Sequence, residues 1–451
     1  MKIISKYNDI ILMVTGQQAL DVNAKYRLAK HCFLYENKGK YFLYNNISKQ
    51  LYLLDEKEYT ALNNLKNPDF KILEPFVEDW SIVKADFNDL AFADQVRWLY
   101  ENIVRKYERP NFIIFTTTKC NARCYYCFEH GQRRIDMSEK TAEDVAEYII
   151  KNAPKKEVYI KWFGGEPLYN QKAMDIICDR LREAGIKYDT KATTNGYLFD
   201  EETIKKAKEK WILHSTVITL DGTEDVYNKT KNYIYKEGNP FKRVIKNIEL
   251  LLANEIRVAI RLNIGFDNFE NIKELVLFLK EYFGDNKLLS IIPIALYDLD
   301  GTRSNQEHDM LDAMVKEVEE LTSKNKYRRL TVKTFSDMGT RCMAELDSCK
   351  VISPIGELGT CEHFSEGEMM YGSIYSSEEK KDVKNYFKQR DVLDRCKDCV
   401  LYGNCGGVGR CPTQTRSCTE VEQNAKLRNL KNCILATYEE YLENGCQTII
   451  K

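Results

Sequence analysis

Three cysteines in one short segment are the residues of this chain best suited to chemistry. Cys120, Cys124 and Cys127 follow an apolar run at 112–115 with the spacing C-x3-C-x2-C. Thiolates are the usual protein ligands of iron–sulfur clusters, and three of them can hold three irons of a [4Fe–4S] cube. The fourth iron then lacks a protein ligand, so a small molecule can bind there. The spacing therefore predicts a redox cluster with one open position.

A zinc ion is the alternative occupant of this segment. A structural zinc site uses four closed ligands, and no fourth Cys or His lies at the usual spacing. His130, three residues after Cys127, is the nearest candidate. Buried thiols without any metal are also common in protein cores. Because a zinc site here would lack its fourth ligand, the ligand count favours an iron–sulfur cluster over zinc.

Glycine-containing and polar motifs end three of the later strands that we predict. They read Trp162-Phe-Gly-Gly-Glu-Pro167, Thr193-Thr-Asn-Gly196 and Thr219-Leu-Asp-Gly222. Together with the cysteine spacing, they resemble the motifs of radical S-adenosylmethionine (radical SAM) enzymes. The resemblance implies that S-adenosylmethionine binds the open iron and is cleaved reductively to a 5′-deoxyadenosyl radical.

The resemblance also implies which residues contact the cofactor. The expected cofactor-binding residues are Tyr126, Gly164, Gly165, Glu166, Asn195, Thr219 and Arg261. A structural ion pair is the alternative role of Arg261, because a charged residue inside a barrel is rarely buried without a partner. The sequence departs from the family at Tyr227 and Lys231, where a His and an Arg are frequent. No catalytic acid or base is assigned.

Cysteines are concentrated near the C-terminus, where ten of the fifteen follow residue 340. Their order resembles that of the SPASM domain, which holds two further [4Fe–4S] clusters in radical SAM enzymes. By that resemblance, the first cluster would use Cys342, Cys349, Cys361 and Cys411, and the second Cys396, Cys399, Cys405 and Cys433. The loop between Cys405 and Cys411 is longer than the family spacing, so Cys418 competes with Cys411. Two zinc sites of four thiolates each are the alternative.

Short apolar strands alternate with helical segments from about residue 110 to 300, which predicts a parallel sheet with crossover helices. Six such units fit a partial (β/α)6 radical SAM barrel, with the active site at the carboxyl ends of its strands. We predict the strands Phe112–Thr117, Val158–Phe163, Lys191–Thr194, Ser215–Leu220, Val258–Ile264 and Leu289–Leu296.

The first 85 residues predict a small winged-helix-like module. Two apolar runs flank a hairpin turn at 37–40, and Asp55 with Glu58 resembles a capping box. The module resembles the precursor-recognition element of peptide-modifying enzymes, which binds a leader peptide as an added strand. A structural extension is the alternative. We expect the divisions 1–85 (leader recognition), 86–109 (linker helix), 110–310 (barrel) and 311–451 (SPASM auxiliary-cluster domain), in an α/β chain.

The composition of the chain limits the kinds of partner that we expect it to bind. The net charge of −1 in 451 residues gives no general attraction to nucleic acid or membranes. No apolar run is long enough to span a bilayer, and the N-terminus lacks a signal-peptide pattern. We therefore expect a cytoplasmic protein without nucleic acid or membrane as a partner.

The resemblance implies a radical SAM oxidoreductase that modifies a ribosomally made precursor peptide by thioether or other crosslink formation. It implies three [4Fe–4S] clusters, S-adenosylmethionine, and an electron donor such as flavodoxin or ferredoxin. One alternative is an anaerobic sulfatase-maturating enzyme, which forms formylglycine. Another, from a different class, is a zinc-bearing peptide-binding protein.

Overall fold

The computed structural model describes residues 2–6, 16, 18–66, 69–99, 109–298, 301–325, 327, 342–411 and 418–450. The N-terminal part is built on an antiparallel sheet and three helices. Its elements are β1 (Lys2–Lys6), β2 (Tyr26–Leu28), β3 (Cys32–Asn37), β4 (Lys40–Asn45), β5 (Leu51–Leu54), α1 (Glu56–Asn63), α2 (Phe70–Glu78), β6 (Ile82–Lys84) and α3 (Asp89–Leu99).

The predicted hairpin is confirmed as β3 and β4. Lys38 and Gly39 form its two-residue turn with φ values of 51° and 72°, and positive φ at both positions defines the type I′ turn that suits the twist of a hairpin. The capping box is confirmed as well, because the Asp55 carboxylate accepts from the backbone N–H of Glu58 while the Glu58 carboxylate accepts from that of Asp55.

The C-terminus of the chain completes the N-terminal sheet. A final strand, β18 (Ile449–Ile450), pairs in parallel with β1, and the strand order is β18-β1-β5-β4-β3. The long helix before it, at 420–443, packs Ile434 and Tyr441 against Ile4, Phe42 and Tyr44 of the sheet. Residues 1–85 therefore share a core with the far end of the chain, which local patterns in the sequence do not show.

The predicted linker helix is observed in part as α3, since residues 100–108 lie outside the described residues. Phe92, Ala93 and Val96 of α3 pack against Cys396 and Tyr402. The helix is thus part of a core shared with the cysteine-rich region.

The six predicted barrel strands are all observed, and each pairs in parallel with its neighbour in chain order. The strand at 111–117 is buried on both faces, whereas the next four strands alternate between buried and half-buried residues, so one of their faces is fully covered by the helices. The elements are β7 (Asn111–Thr117), α4 (Glu139–Lys151), β8 (Glu157–Gly164), α5 (Gln171–Glu183), β9 (Lys187–Thr194), α6 (Glu201–Glu209), β10 (Leu213–Thr219), α7 (Glu224–Lys231), α8 (Pro240–Ala253), β11 (Arg257–Ile264), α9 (Phe269–Phe283), β12 (Leu289–Ala295) and α10 (Asn305–Lys324).

A C-terminal hairpin extends this sheet beyond β7. The strand at Cys349–Ile352, β13, pairs in parallel with β7 and aligns Val351 with Ile113. The sheet is therefore mixed, with the order β12-β11-β10-β9-β8-β7-β13-β14-β15. The later elements are β14 (Glu357–Gly359), β15 (Met370–Ser373), α11 (Lys381–Lys384), β16 (Arg390–Asp391), α12 (Tyr402–Cys405), β17 (Val408–Gly409) and α13 (Glu420–Glu443). None of the helices in the described residues is both long and apolar enough to cross a bilayer.

Candidate functional site

The three cysteines of the first motif lie in the loop after β7, which we call the cluster loop (residues 118–133). All three are partly buried. Burial raises the pKa of the Cys120 thiol to about 12, and the charges of Glu166, Cys124 and Cys127 add to that shift. Burial also raises the pKa of Cys127 to about 11. Together with Cys124, these buried thiols form a donor set that a cationic metal centre would stabilise as thiolates.

Two strand ends hold the cluster loop in place. The backbone N–H groups of Gly165 and Glu166 donate to the carbonyl oxygens of Thr117 (3.1 Å) and Lys119 (2.9 Å). A β-carbon at Gly165 would lie 2.5 Å from the Lys119 oxygen, and one at Gly164, where φ is +123°, would lie 2.1 Å from the Thr117 oxygen. Glycine is therefore required at both positions, because the loop and the end of β8 approach closely.

Glu166 joins the end of β8 to the end of β9. Its fully buried carboxylate accepts from the Thr194 hydroxyl (2.7 Å), the Asn195 backbone N–H (2.8 Å) and the Leu168 backbone N–H (3.2 Å). Burial raises the pKa of this carboxyl group to about 7. The Asn195 side chain in turn donates to Asn121 Oδ1 at 2.7 Å and lies 3.8 Å from Cys120 Sγ.

Beside Cys120 lies a polar atom that the described residues leave unsatisfied. Asn121 is fully buried, and its Nδ2 has no hydrogen-bond partner among them. A buried amide donor without a partner costs about 1–3 kcal/mol. An acceptor next to the cysteines would satisfy it, so this observation fits a ligand bound at the cluster loop.

Tyr126 belongs to a buried network that the sequence did not predict as a site. Its hydroxyl donates to Asp221 Oδ2 at 2.7 Å and accepts from Lys231 Nζ at 2.9 Å. Burial alone would lower the pKa of Lys231, but Asp221 and then Cys124 raise it well above its ordinary value. Two features of the sequence could have indicated this network. Asp221 belongs to the Thr219–Gly222 motif, and Lys231 stands where the family often has an Arg.

Thr219, the last residue of β10, pairs directly with Arg261 within β11. The Arg261 guanidinium donates to Asn263 Oδ1 at 2.8 Å and lies over the Tyr297 ring at 5.0 Å. Among the described residues, no carboxylate lies within 4.0 Å of its nitrogens as an ion-pair partner. The expectation of a structural ion pair is therefore not met, and the guanidinium can receive an anionic group.

The C-terminal cysteines form two groups. In the first group, burial raises the pKa of Cys361 to about 12, and the charges of Cys342 and Cys411 add to that rise. The charge of Cys342 also adds to the rise that burial causes in the pKa of Cys349, so these four thiols lie near one another. In the second, Cys396, Cys399, Cys405 and Cys418 line one cavity. Cys433 packs elsewhere, in the core beneath α13.

No three Cys, His, Asp or Glu side chains in the part of the chain that the structure describes form a group suited to a single metal ion. A cube distributes its thiolates over separate irons, so its ligands need not converge on one point. Of the remaining cysteines, Cys32 and Cys178 are buried in cores and Cys446 is exposed.

The segment after Cys361 contacts the cluster loop. Glu362 forms an ion pair with Lys161 of β8, and the ring centroid of His363 lies 4.5 Å from that of Phe128, next to Cys127. Further along, the Ser365 hydroxyl donates to Gln132 at 2.6 Å. These contacts place Cys361 beside the mouth of the barrel, whereas Cys349 pairs with Asn111 at the amino end of β7. No motif in the sequence indicated a role for Glu362 or His363.

Comparisons with known proteins agree with this architecture. The model of the Radical SAM superfamily matches residues 114–279. The radical SAM cyclopropyl synthase TigE of Paramaledivibacter caminithermalis is 24% identical over 428 residues, which cover 83% of this chain and 87% of that protein.

Two solved structures share the fold. One is anSMEcpe with bound AdoMet and Cp18Cys peptide, with a TM-score of 0.55 and 18% identity over 75% of this chain and 99% of that chain. The other is Streptococcus suis SuiB bound to precursor peptide SuiA, with a TM-score of 0.50 and 16% identity over 88% of this chain and 100% of that chain. Residues 114–279 of the chain therefore form a domain that matches the Radical SAM superfamily. The chain is an enzyme that uses S-adenosylmethionine.

Proposed function

We propose that this enzyme oxidatively modifies a ribosomally made precursor peptide, by thioether or other crosslink formation. The observation that carries the proposal is the contact between the segment after Cys361 and the cluster loop. It brings Cys361, one of the first group of C-terminal thiols, towards the place where a radical would form. A peptide held there could lose a hydrogen atom to the radical and an electron to a neighbouring metal centre.

In this proposal Cys120, Cys124 and Cys127 hold a [4Fe–4S] cluster whose open iron binds S-adenosylmethionine. When bound and reduced, this group supplies a 5′-deoxyadenosyl radical that removes a hydrogen atom from a C–H bond. The protein positions and shields it. Glu166 orients Asn195 against Cys120, while Arg261 offers a cation to the carboxylate of the cofactor. The expected contacts through Tyr126, Gly164, Gly165 and Thr219 remain part of the proposal.

The C-terminal thiols would hold two more [4Fe–4S] clusters, as in a SPASM domain. Four soft thiolates suit iron or zinc, and their position next to a redox site supports iron. An external donor such as flavodoxin or ferredoxin would supply electrons. We propose this role for residues 311–451, with the barrel at 110–310 providing the radical.

The N-terminal sheet supports a role in leader binding. Its strand order ends at β3, so among the described residues one edge of this strand has no neighbour. An extended peptide can pair with such an edge through backbone hydrogen bonds. We therefore propose that residues 1–85, winged-helix-like in their order of elements, bind the leader of the precursor along β3.

The comparisons support a peptide substrate, since anSMEcpe and SuiB are both named with bound peptides. Formylglycine formation is the alternative. The match to anSMEcpe covers 75% of this chain and 99% of that one, whereas the match to SuiB covers 88% of this chain. The larger shared portion favours precursor maturation over formylglycine formation.

Anaerobic reconstitution tests the proposal. We expect iron-bound protein that converts S-adenosylmethionine to 5′-deoxyadenosine under dithionite. With a precursor peptide encoded beside the gene, mass spectrometry should show the loss of two hydrogens per crosslink. Conversion of a Cys or Ser to formylglycine would instead support the alternative enzyme. A protein that binds zinc and leaves S-adenosylmethionine intact would refute the proposal.

A further inference from the structure

The second group of C-terminal cysteines differs in membership from the one that the family pattern implies. Cys396, Cys399 and Cys405 line a small cavity that is partly open to solvent, and Cys418 lines it with them. Cys433, which the pattern places fourth in this set, is not among the described residues that line the cavity.

Cys433 lies in a different core. Its side chain is 7% exposed and packs with Ile4, Phe42 and Tyr44 of the N-terminal sheet. The start of α13 does reach the cavity, through Gln423 and Lys426. Because a helix rises 1.5 Å per residue, Cys433 is about 10 Å further along the axis than Lys426.

Cys418 lies two residues before α13 begins at Glu420. This position places its partly buried thiol at the cavity wall. Two cations, Arg395 and Lys426, line the same cavity. A cluster with four thiolate ligands carries net negative charge, which nearby cations stabilise.

The wall that carries Cys405 is held tightly. Gly406 and Gly407 have φ values of +67° and +109°, and a β-carbon at Gly406 would lie 2.6 Å from Cζ of Arg97. Arg390 donates to the carbonyl oxygen of Cys405 at 2.8 Å. Cys396 and Tyr402 pack with Phe92 and Val96 of α3. The three cysteines of the C-x2-C-x5-C element therefore sit on a fixed frame that faces Cys418.

We infer that Cys418, and not Cys433, is the fourth thiolate ligand of the [4Fe–4S] cluster held by Cys396, Cys399 and Cys405. The inference rests on the proposed function, because it takes the C-terminal cysteines to be iron ligands. Cys411 belongs to the other set, so Cys411 and Cys418 each serve one cluster and do not compete. Cys433 is a packing residue between α13 and the sheet.

The test uses the full chain with Cys120, Cys124 and Cys127 changed to Ala, so that only the C-terminal clusters remain. Cys418→Ala and Cys433→Val are compared in this parent after anaerobic reconstitution. The measurements are iron and sulfide per chain after exposure to a chelator, and the electron paramagnetic resonance spectrum after dithionite reduction. We expect Cys418→Ala to lose about half of the iron and to lose or shift one of two cluster signals. Cys433→Val should keep both clusters.

Three results would overturn the assignment. The first is loss of a cluster in Cys433→Val while Cys418→Ala keeps both clusters. The second is no change in either variant. The third is loss of a cluster in both variants, provided that Cys433→Val unfolds at the same urea concentration as the parent and is therefore correctly folded. Should Cys433→Val not fold, Cys433→Ser is judged by the same results. A parent that holds no iron would instead refute the proposed role of the C-terminal cysteines, so the two failures are distinguishable.

Discussion

Lys231 Nζ lies 2.9 Å from Asp221 Oδ2, and both side chains are almost completely buried, with exposures of 4% and 1%. The pair joins the end of α7 to the end of β10. The Lys231 carbonyl oxygen also accepts from the backbone N–H of Arg123 at 2.8 Å, within the cluster loop. A buried ion pair thus supports the loop that carries the three cysteines.

Removal of one charge from this pair should be costly. Asp221→Asn keeps the shape of the side chain but leaves the Lys231 ammonium buried without its counter-charge. Breaking a buried pair in this way typically costs about 3–5 kcal/mol. We therefore expect urea unfolding, followed by circular dichroism, to show a loss of that size in the free energy of unfolding.

Glu237→Gln is the matched control, because Glu237 is an exposed carboxylate in a nearby loop and should change stability by less than about 0.5 kcal/mol. Tyr126→Phe leaves the ion pair intact and removes one hydroxyl, so its loss should be about 1 kcal/mol. Equal losses in Asp221→Asn and Glu237→Gln would contradict the role given to the buried pair.

Cys124→Ala should abolish cleavage of S-adenosylmethionine, because two thiolates do not hold a site-differentiated cube. Formation of 5′-deoxyadenosine, measured by chromatography under dithionite, should fall to the background rate. Peptide binding should persist, since the proposed leader site is on the N-terminal sheet. Cys446→Ser, at an exposed cysteine, is the control and should keep the parent rate. Retained 5′-deoxyadenosine formation in Cys124→Ala would refute the cluster assignment.

His31 predicts a pH-dependent loss of stability. Its Nε2–H donates to the Trp80 carbonyl oxygen at 3.0 Å, and burial lowers its pKa to about 4, with Asp89 opposing and Arg27 adding to the shift. In the unfolded chain His31 takes up a proton near pH 6.5, whereas in the folded protein it stays neutral down to about pH 4. Stability should therefore fall as the pH decreases from 6.5 towards 4, by about 2 kcal/mol between pH 7 and pH 5.

Comparison of the parent with His31→Gln isolates this contribution, because both proteins share all other titrating groups. The difference between their free energies of unfolding should change by about 2 kcal/mol between pH 7 and pH 5. His130→Gln, at an exposed histidine, should show little of the effect. A difference independent of pH would mean that His31 is not held neutral in the fold.

The barrel could be predicted from sequence because each of its elements has a local pattern. Apolar runs define β7 to β12, and their order in the sheet follows from short right-handed crossovers. The C-x3-C-x2-C segment and the Trp162–Pro167 motif were recognisable for the same reason, since each is continuous in sequence. Only the ends of the strands differ, by up to four residues at the start of β9.

What the sequence could not show depends on long-range contacts. The parallel pairing of β1 with β18 joins residues more than 440 positions apart, and no local periodicity indicates it. The contact of His363 with Phe128 had the same limitation. Cysteine spacing alone could not separate Cys418 from Cys433, because the path of the chain between them decides which thiol faces the cavity.

The open edge of β3 allows a sharper test of leader binding than deletion of residues 1–85. Such a deletion would also uncover α13 and remove α1 and α2, so it would disturb the cysteine-lined cavity nearby. In a two-residue hairpin the pair next to the turn exchanges hydrogen bonds, and the pairs then alternate. The backbone N–H of Glu36 therefore points away from β4, towards the open edge.

Glu36→Pro removes that outward N–H without removing a hydrogen bond between β3 and β4, and proline is tolerated on an edge strand. If the leader pairs with β3, titration calorimetry with a fluorophore-free leader peptide should show weaker binding by about tenfold, the loss of one to two hydrogen bonds. Glu36→Ala, which keeps the N–H, should bind as the parent does. The Glu36 carboxylate accepts from the backbone N–H of Gly39 in the turn at 2.9 Å, and both variants lose this hydrogen bond, so Glu36→Ala controls for its loss. Unchanged affinity in Glu36→Pro would place the leader away from this edge.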